Sequence, residues 1–270
     1  MEQITFPGLG LNFNISRIAF TLFGVDIYWY ALLIMCSVAF GFAFLLLIKS
    51  KEDTFGIKKD DIFDGLLYIV PISIIFGRAY YVIFNFDMFR NNLSNIFNIR
   101  AGGMAIYGTI IGGLITLILF CKKRKIKILD FSDYIAPMLA LGQSVGRWGN
   151  FFNVEAYGTQ TKLPWRMGIM ENGTYMEVHP TFLYESIVTL FLFILLIFLT
   201  KKRKYSGQLT YIYLFVYAFF RFFIEALRTD SLMFYNLRVS AVVSIVVCVV
   251  VGSILLKMHG FKKIGKNKEI

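Results

Sequence analysis

Long apolar runs alternate along this chain with short polar connections rich in lysine and arginine. The runs cover residues 22–48, 62–84, 104–121, 131–148, 182–200, 208–227 and 237–256. As helices rising about 1.5 Å per residue, they have the length needed to cross about 30 Å of hydrocarbon, with the third and fourth short and interrupted by glycine. The pattern predicts an all-α polytopic membrane protein of seven transmembrane helices, with residues 1–270 as a single membrane-embedded domain. The longest connection, residues 149–181, alternates around Trp165 to Gly168 and carries a turn pair at Asn172-Gly173. That predicts a small hairpin-containing external cap, too short and too thinly apolar to fold as a domain of its own.

Charge placement orients the bundle. The connections 49–61, 122–130 and 201–207 and the tail from Lys257 hold 18 Lys and Arg, whereas residues 1–21, 85–103, 149–181 and 228–236 hold six. Positive residues stay on the cytoplasmic side, so the N-terminus is expected outside and the C-terminus in the cytoplasm, which requires an odd number of crossings. Residues 1–21 lack a basic start followed directly by an apolar stretch and a cleavage site, so the first helix is expected to remain in the protein. The composition, 57% hydrophobic with 17% charged residues, excludes a water-soluble domain of ordinary surface. A net charge of +11 made of short basic runs between apolar spans is a topology signal and no nucleic-acid surface. Cys36, Cys121 and Cys248 stand alone without a CxxC, which argues against a disulfide scaffold or metal site.

Ionisable groups inside hydrocarbon are costly and need a partner or a task. Arg78 lies in the outer third of the second span. Gln143, Arg147 and Asn150 share one face at the outer end of the fourth, and Tyr217, Arg221, Glu225 and Arg228 form one stripe on the sixth. Tyr28 and Tyr30 lie near the outer start of the first span; Gly102 and Gly103 precede the third, where their backbone amides could receive an anion. All converge on the outer half of the membrane. A transporter with a midplane site needs polar groups or broken helices reached from both sides, whereas an outer site suits a lipid headgroup or a polypeptide arriving from outside. The guanidinium fork fits phosphate oxygens, so Arg147 and Arg221 are candidates to hold a phospholipid phosphate. Structural ion pairing is the alternative, with Glu225 flanked by Arg221 and Arg228, and Glu155 near Arg147; for Arg78 it is a helix contact or a snorkel. Gly108-xxx-Gly112 and Gly142-xxx-Gly146 suggest close helix packing. His179, just outside the fifth span, can orient that helix or act as a base, and Glu185, one turn inside, should pair or line the cavity. His259 falls in the basic tail, and no spacing suggests zinc or a nucleotide loop.

The string Gly146-Arg147-Trp148-Gly149-Asn150-Phe151-Phe152-Asn153-Val154-Glu155 resembles the GR-x-GN-F-x-N-x-E signature of the prolipoprotein diacylglyceryl transferase family. Residues 102–108 (GGMAIYG), 179–185 (HPTFLYE) and the stretch from Tyr217 to Asp230 extend the resemblance over almost the whole chain. The resemblance implies transfer of the diacylglyceryl group of phosphatidylglycerol to the lipobox cysteine of bacterial prolipoproteins, with release of glycerol 1-phosphate and no cofactor or metal. It implies a multi-pass protein of the bacterial plasma membrane with its site toward the outer leaflet, functional as a monomer. Arg147, Arg221, Tyr107 and Glu155 form the expected catalytic set. The expected substrate-binding set is Tyr30, Arg78, Gly102, Gly103, Gln143, Asn150, Asn153, His179, Tyr217, Glu225 and Arg228. Tyr107 departs from the family, which often has histidine there; with a reference pKa of about 10 it is better suited to donate a hydrogen bond than to act as a base. Glu155 and His179 both remain as acceptors for the thiol proton. The rival readings are a lipid or small-anion transporter and a non-catalytic membrane scaffold.

Overall fold

The computed structural model describes residues 2–48, 57–99 and 102–266. Lys49, Lys51, Arg100 and Lys268, four of the charges in the topology count, lie outside the described residues, as does the side chain of His259. The helices are α1 (Trp29–Ile48), α2 (Lys59–Phe84), α3 (Ile106–Arg124), α4 (Ile128–Asn153), α5 (Thr181–Thr200), α6 (Gln208–Leu227) and α7 (Val239–Lys266). The strands are β1 (Glu2–Phe6), β2 (Leu11–Ile15), β3 (Ile18–Leu22), β4 (Val25–Tyr28), β5 (Met167–Glu171), β6 (Thr174–Val178), β7 (Met233–Phe234) and β8 (Leu237–Arg238). Two compact units share them: Met1–Ile48 with Asp133–Ile270, and Lys49–Ser132.

Among the described residues, five helices are long and apolar enough to cross a membrane: Asp60–Phe84, Ile106–Arg124, Thr181–Thr200, Gln208–Leu227 and Val239–Met258. Their surfaces agree. Val242, Val243, Ile245, Val246, Val249 and Val250 of α7 are all exposed, a continuous apolar surface that only lipid solvates well. The chain is therefore a multi-helix membrane protein with several apolar spans. α1 begins at Trp29 rather than residue 22, because the apolar residues before it form the β3–β4 hairpin around Phe23 and Gly24, both at positive φ. α4 runs past residue 148 to Asn153, and α7 starts at Val239, after the small β7–β8 hairpin.

In the first unit the sheet order is β2-β1-β5-β6. The β5–β6 turn at Asn172 and Gly173, φ 49° and 77°, is the hairpin expected from the sequence. The N-terminal hairpin β1–β2 joins it through Thr5 opposite Gly168. Ile4, Phe6, Ile15, Met167, Ile169 and Val178 bury one face of this sheet against Phe151 at the end of α4 and Phe182 at the start of α5. The sheet thus holds those two helix ends together. At the other end of α4, buried Asp133 accepts hydrogen bonds from Arg203 Nε (2.7 Å), Gly207 N (2.7 Å), and Thr210 N and Oγ1 (both 2.8 Å). It satisfies backbone donors left open at the first turn of α6 and fixes the α5–α6 turn to α4.

The second unit is built on the α2–α3 hairpin. A Cβ on Gly112 would lie 2.5 Å from the Cβ of Phe76, and one on Gly108 would lie 3.0 Å from the Cα of Gly77. Close approach of the helices therefore requires glycine at both positions. The second glycine pattern does not behave in this way: Gly142 has only Ser37 Oγ nearby, at 3.8 Å, and Gly146 has nothing within 4 Å. Gly112→Val is expected to destabilise the protein by about 1–3 kcal/mol through overpacking, and Gly146→Val by far less, as read from melting temperatures in detergent.

Candidate active site

Glu185 occupies the centre of the polar cluster in the first unit. Its side chain is 3% exposed, a position that would be prohibitive for an unpaired carboxylate in a spanning helix. Oε1 accepts from Arg147 Nη2 at 2.5 Å and from the Tyr217 hydroxyl at 3.0 Å, while Oε2 accepts from Arg221 Nη1 at 2.9 Å. Arg221 donates its other terminal nitrogen to Glu225 at 2.5 Å, one helical turn away and likewise buried. Two carboxylates therefore balance two guanidiniums, which is what makes four buried charges tolerable. Helical spacing brings them together: Tyr217, Arg221 and Glu225 lie on one stripe of α6, Arg147 on the facing side of α4, and Glu185 on α5 between them.

From Arg147 the network continues past the end of α4. Its Nη1 donates to Asn150 Oδ1 at 3.3 Å, and Asn150 Nδ2 donates to Glu155 Oε1 at 2.8 Å; Asn153 Nδ2 donates to the same oxygen at 3.2 Å. Tyr30 of α1 lies over Gly149, where any Cβ would strike its ring, beside the charges of Glu155 and Arg147. Below, Gln143 hydrogen-bonds Tyr213, which stacks on Tyr217 with centroids 6.0 Å apart and rings 6° from parallel. The first unit thus gathers Tyr30, Gln143, Arg147, Asn150, Asn153, Glu155, Tyr217, Arg221 and Glu225.

The expected pairings differ in two respects. Arg228 forms a two-pronged bond with Asp230, at 2.8 and 2.6 Å, rather than flanking Glu225. Burial works against ionisation of Asp230, but that arginine outweighs it and holds the carboxyl below its usual range. Glu155 reaches Arg147 through Asn150 rather than by a direct pair. Glu185, expected to pair or line the cavity, instead takes the central place; its signal is the cost of a carboxylate one turn inside an apolar span.

Arg78, Gly102, Gly103 and Tyr107 belong to the second unit. Arg78 spends its fork on backbone carbonyls: Nε on Ile96 (2.8 Å), Nη1 on Gly102 (2.6 Å) and Gly103 (2.7 Å), and Nη2 on Asn95 (2.6 Å) and Asn98 (3.1 Å). It staples the loop between α2 and α3 instead of presenting an open fork. Both glycines take positive φ, 85° and 81°, and the Gly102 amide is bonded to the Ile99 carbonyl at 3.1 Å. Tyr107 sits half-buried in the first turn of α3.

His179, outside the spans, has its Nδ1 3.1 Å from the Tyr184 hydroxyl, which accepts from Trp165 Nε1 at 2.8 Å. Burial lowers its pKa from the usual 6.5, so the ring is neutral near pH 7. The folded value lies below the unfolded one. Any stability tied to the neutral ring is present above about pH 6.5 and is lost as pH falls through the folded value. Melting temperature should therefore fall less steeply below pH 6.5 in His179→Gln than in the natural protein. Among the described residues, no group of three or more His, Cys, Asp or Glu side chains is placed to hold a metal ion.

Each guanidinium carries five N–H donors; among the described residues Arg147 gives them to Asn150, Glu185 and Tyr217, and Arg221 gives them to Glu185 and Glu225. Both arginines are thus fixed by carboxylates yet keep donor edges for an incoming anion. Comparison with known proteins fits an anionic lipid. Residues 17–257 match the family model described as prolipoprotein diacylglyceryl transferase. A phosphatidylglycerol–prolipoprotein diacylglyceryl transferase of Finegoldia magna is 45% identical over 94% of this chain and 99% of its own length. Proteins of the same name from Clostridioides difficile (44%; 93% and 98%) and Bacillus cereus (42%; 88% and 90%) are similar throughout.

Proposed function

The chain belongs to the prolipoprotein diacylglyceryl transferase family, and from that membership together with the paired arginines we propose how it acts. It transfers the diacylglyceryl group of phosphatidylglycerol to the lipobox cysteine thiol of prolipoproteins, releasing glycerol 1-phosphate. The observation that carries the reading is Glu185 bridging Arg147 and Arg221, which sets two phosphate-complementary cations side by side in a buried site. As the sulfur attacks the glycerol carbon and its bond to the phosphate ester oxygen breaks, negative charge grows on the phosphate. Preorganised guanidiniums stabilise that charge most where water is excluded. Asn150 and Asn153 orient Glu155, Tyr217 steadies Glu185, and Tyr30 closes the α1 side over Gly149.

The reading includes seven crossings with the N-terminus outside, supported by the 18-to-six asymmetry of basic residues, and a site facing the outer leaflet of a bacterial plasma membrane. On this topology the four-stranded sheet over Phe151 and Phe182 is an external cap. Purified protein incubated with labelled phosphatidylglycerol and a lipobox peptide should yield the thioether and glycerol 1-phosphate. Movement of unchanged lipid between leaflets, with no thioether, would replace this reading with transport.

A further inference from the structure

We propose that Glu155 accepts the proton of the incoming thiol, and that a left-handed elbow formed by Val154 and Ala156 aims it. The inference rests on the transferase reading. A thiol with a pKa of about 8.5 is only a few per cent ionised near neutrality, so a positioned acceptor raises the rate.

Val154 and Ala156, on either side of Glu155, have φ of 52° and 57°, in a region where non-glycine residues are uncommon and a β-branched one is an outlier. Such conformations persist only where the surroundings enforce them. Here Val154 packs against the hydrophobic core beneath the four-stranded sheet, and the Ala156 carbonyl accepts from Thr181 Oγ1. The amides of Val154 and Glu155 bond back to Phe151 and Asn150, both at 3.1 Å. A chain leaving the end of α4 is thereby turned so that the Glu155 side chain is exposed beside Arg147 and Tyr30.

Glu155 also keeps acceptor capacity in reserve. Asn150 and Asn153 both donate to Oε1 of Glu155, whereas Oε2 has no hydrogen-bond partner among the described residues. The other candidates are engaged. Glu185 uses both oxygens on arginines, and Glu225 is 1% exposed and paired with Arg221. His179 Nδ1 lies against a tyrosine hydroxyl that already accepts from an indole. Of these four groups, Glu155 alone is both exposed and open at one oxygen.

Asn150 takes a hydrogen bond from Arg147 on its oxygen and gives one to Glu155 from its nitrogen. One amide therefore separates the phosphate-holding cation from the proton acceptor, as a displacement with nucleophile and leaving group on opposite sides of a carbon requires. In the step, the thiol proton goes to Glu155 Oε2 as the S–C bond forms and the C–O bond to phosphate breaks. Glycerol phosphate leaves with that electron pair, and Glu155 later returns its proton to water. Among the described residues, Tyr30 from α1 faces Glu155 and Arg147 from α4 reaches it through Asn150.

The test compares lipobox peptides carrying cysteine or selenocysteine, the selenol being ionised already at neutral pH. With the cysteine peptide at pH 7, Glu155→Gln should lower thioether formation about 10²-fold or more, the loss shrinking as pH rises toward the thiol pKa. With the selenocysteine peptide the loss should be within about fivefold, because no proton needs an acceptor. Ala156→Gly keeps the carboxylate and loosens the elbow, so it should slow the cysteine peptide several-fold and leave the selenocysteine peptide near the natural rate; it carries the test if Glu155→Gln does not fold. Equal losses with both peptides, in variants that melt as the natural protein does, would overturn the proposal and leave these residues structural. Absence of product from both peptides with the natural protein would defeat the transferase reading itself.

Discussion

Glu185→Ala is expected to lower stability by about 3–5 kcal/mol, the usual cost of removing one partner from a buried ionic cluster. Its side chain is 3% exposed and lies between Arg147 and Arg221, themselves 23% and 14% exposed, so its loss leaves two guanidiniums facing each other across an apolar gap. Tyr217 loses its acceptor as well. Glu185→Gln, which keeps the volume and one acceptor, should fall between alanine and the natural residue. Thermal unfolding in detergent reads the stability. Activity per folded molecule should fall with it, because the spacing of the two cations depends on the bridge.

The second large effect is expected at Arg221. Arg221→Ala should reduce thioether formation by about 10²–10³-fold, comparable with the loss of one donor from a preorganised oxyanion site. Arg221→Lys should recover little of it. Arg221 grips Glu185 with one terminal nitrogen and Glu225 with the other, and an ammonium cannot reproduce two directed contacts while facing a phosphate. Recovery by lysine to within a few-fold of the natural rate would mean that only charge is required there.

Much of this site was legible in the sequence because helical periodicity encodes it. Tyr217, Arg221 and Glu225 recur at four-residue spacing inside an apolar run, and the stripe they form is the one that meets Glu185. Gln143, Arg147 and Asn150 follow the same logic on α4. The sheet was half legible. The Asn172-Gly173 turn marked β5 and β6, but their partner β1 comes from the other end of the chain, and no local pattern announces the pairing of Thr5 with Gly168. The turn and second strand of the β3–β4 hairpin fall inside the first apolar run because they are nearly as apolar as the helix that follows; only Phe23-Gly24 and the polar pair Thr21 and Asp26, bonded at 2.7 Å, signal strands. Arg78 shows a different limit. Sequence marks it as a costly cation in need of partners, but its five acceptors are loop carbonyls, which have no signature in side-chain identity. Likewise Asp133 lies inside the fourth apolar run, and no local pattern announces that it satisfies the start of α6 and the α5–α6 turn.

On the proposed mechanism Arg147 and Arg221, tied by Glu185, act as one phosphate-stabilising unit. The measurement that tests it most directly is thioether formation per folded molecule in the natural protein, Arg147→Ala, Arg221→Ala and the double variant, with saturating phosphatidylglycerol and a lipobox peptide. A unit predicts that each single change costs about 10²–10³-fold and that the double variant is little worse than the poorer single one. Folded single variants that retain activity within about threefold of the natural rate, or losses that multiply fully in the double variant, would contradict it.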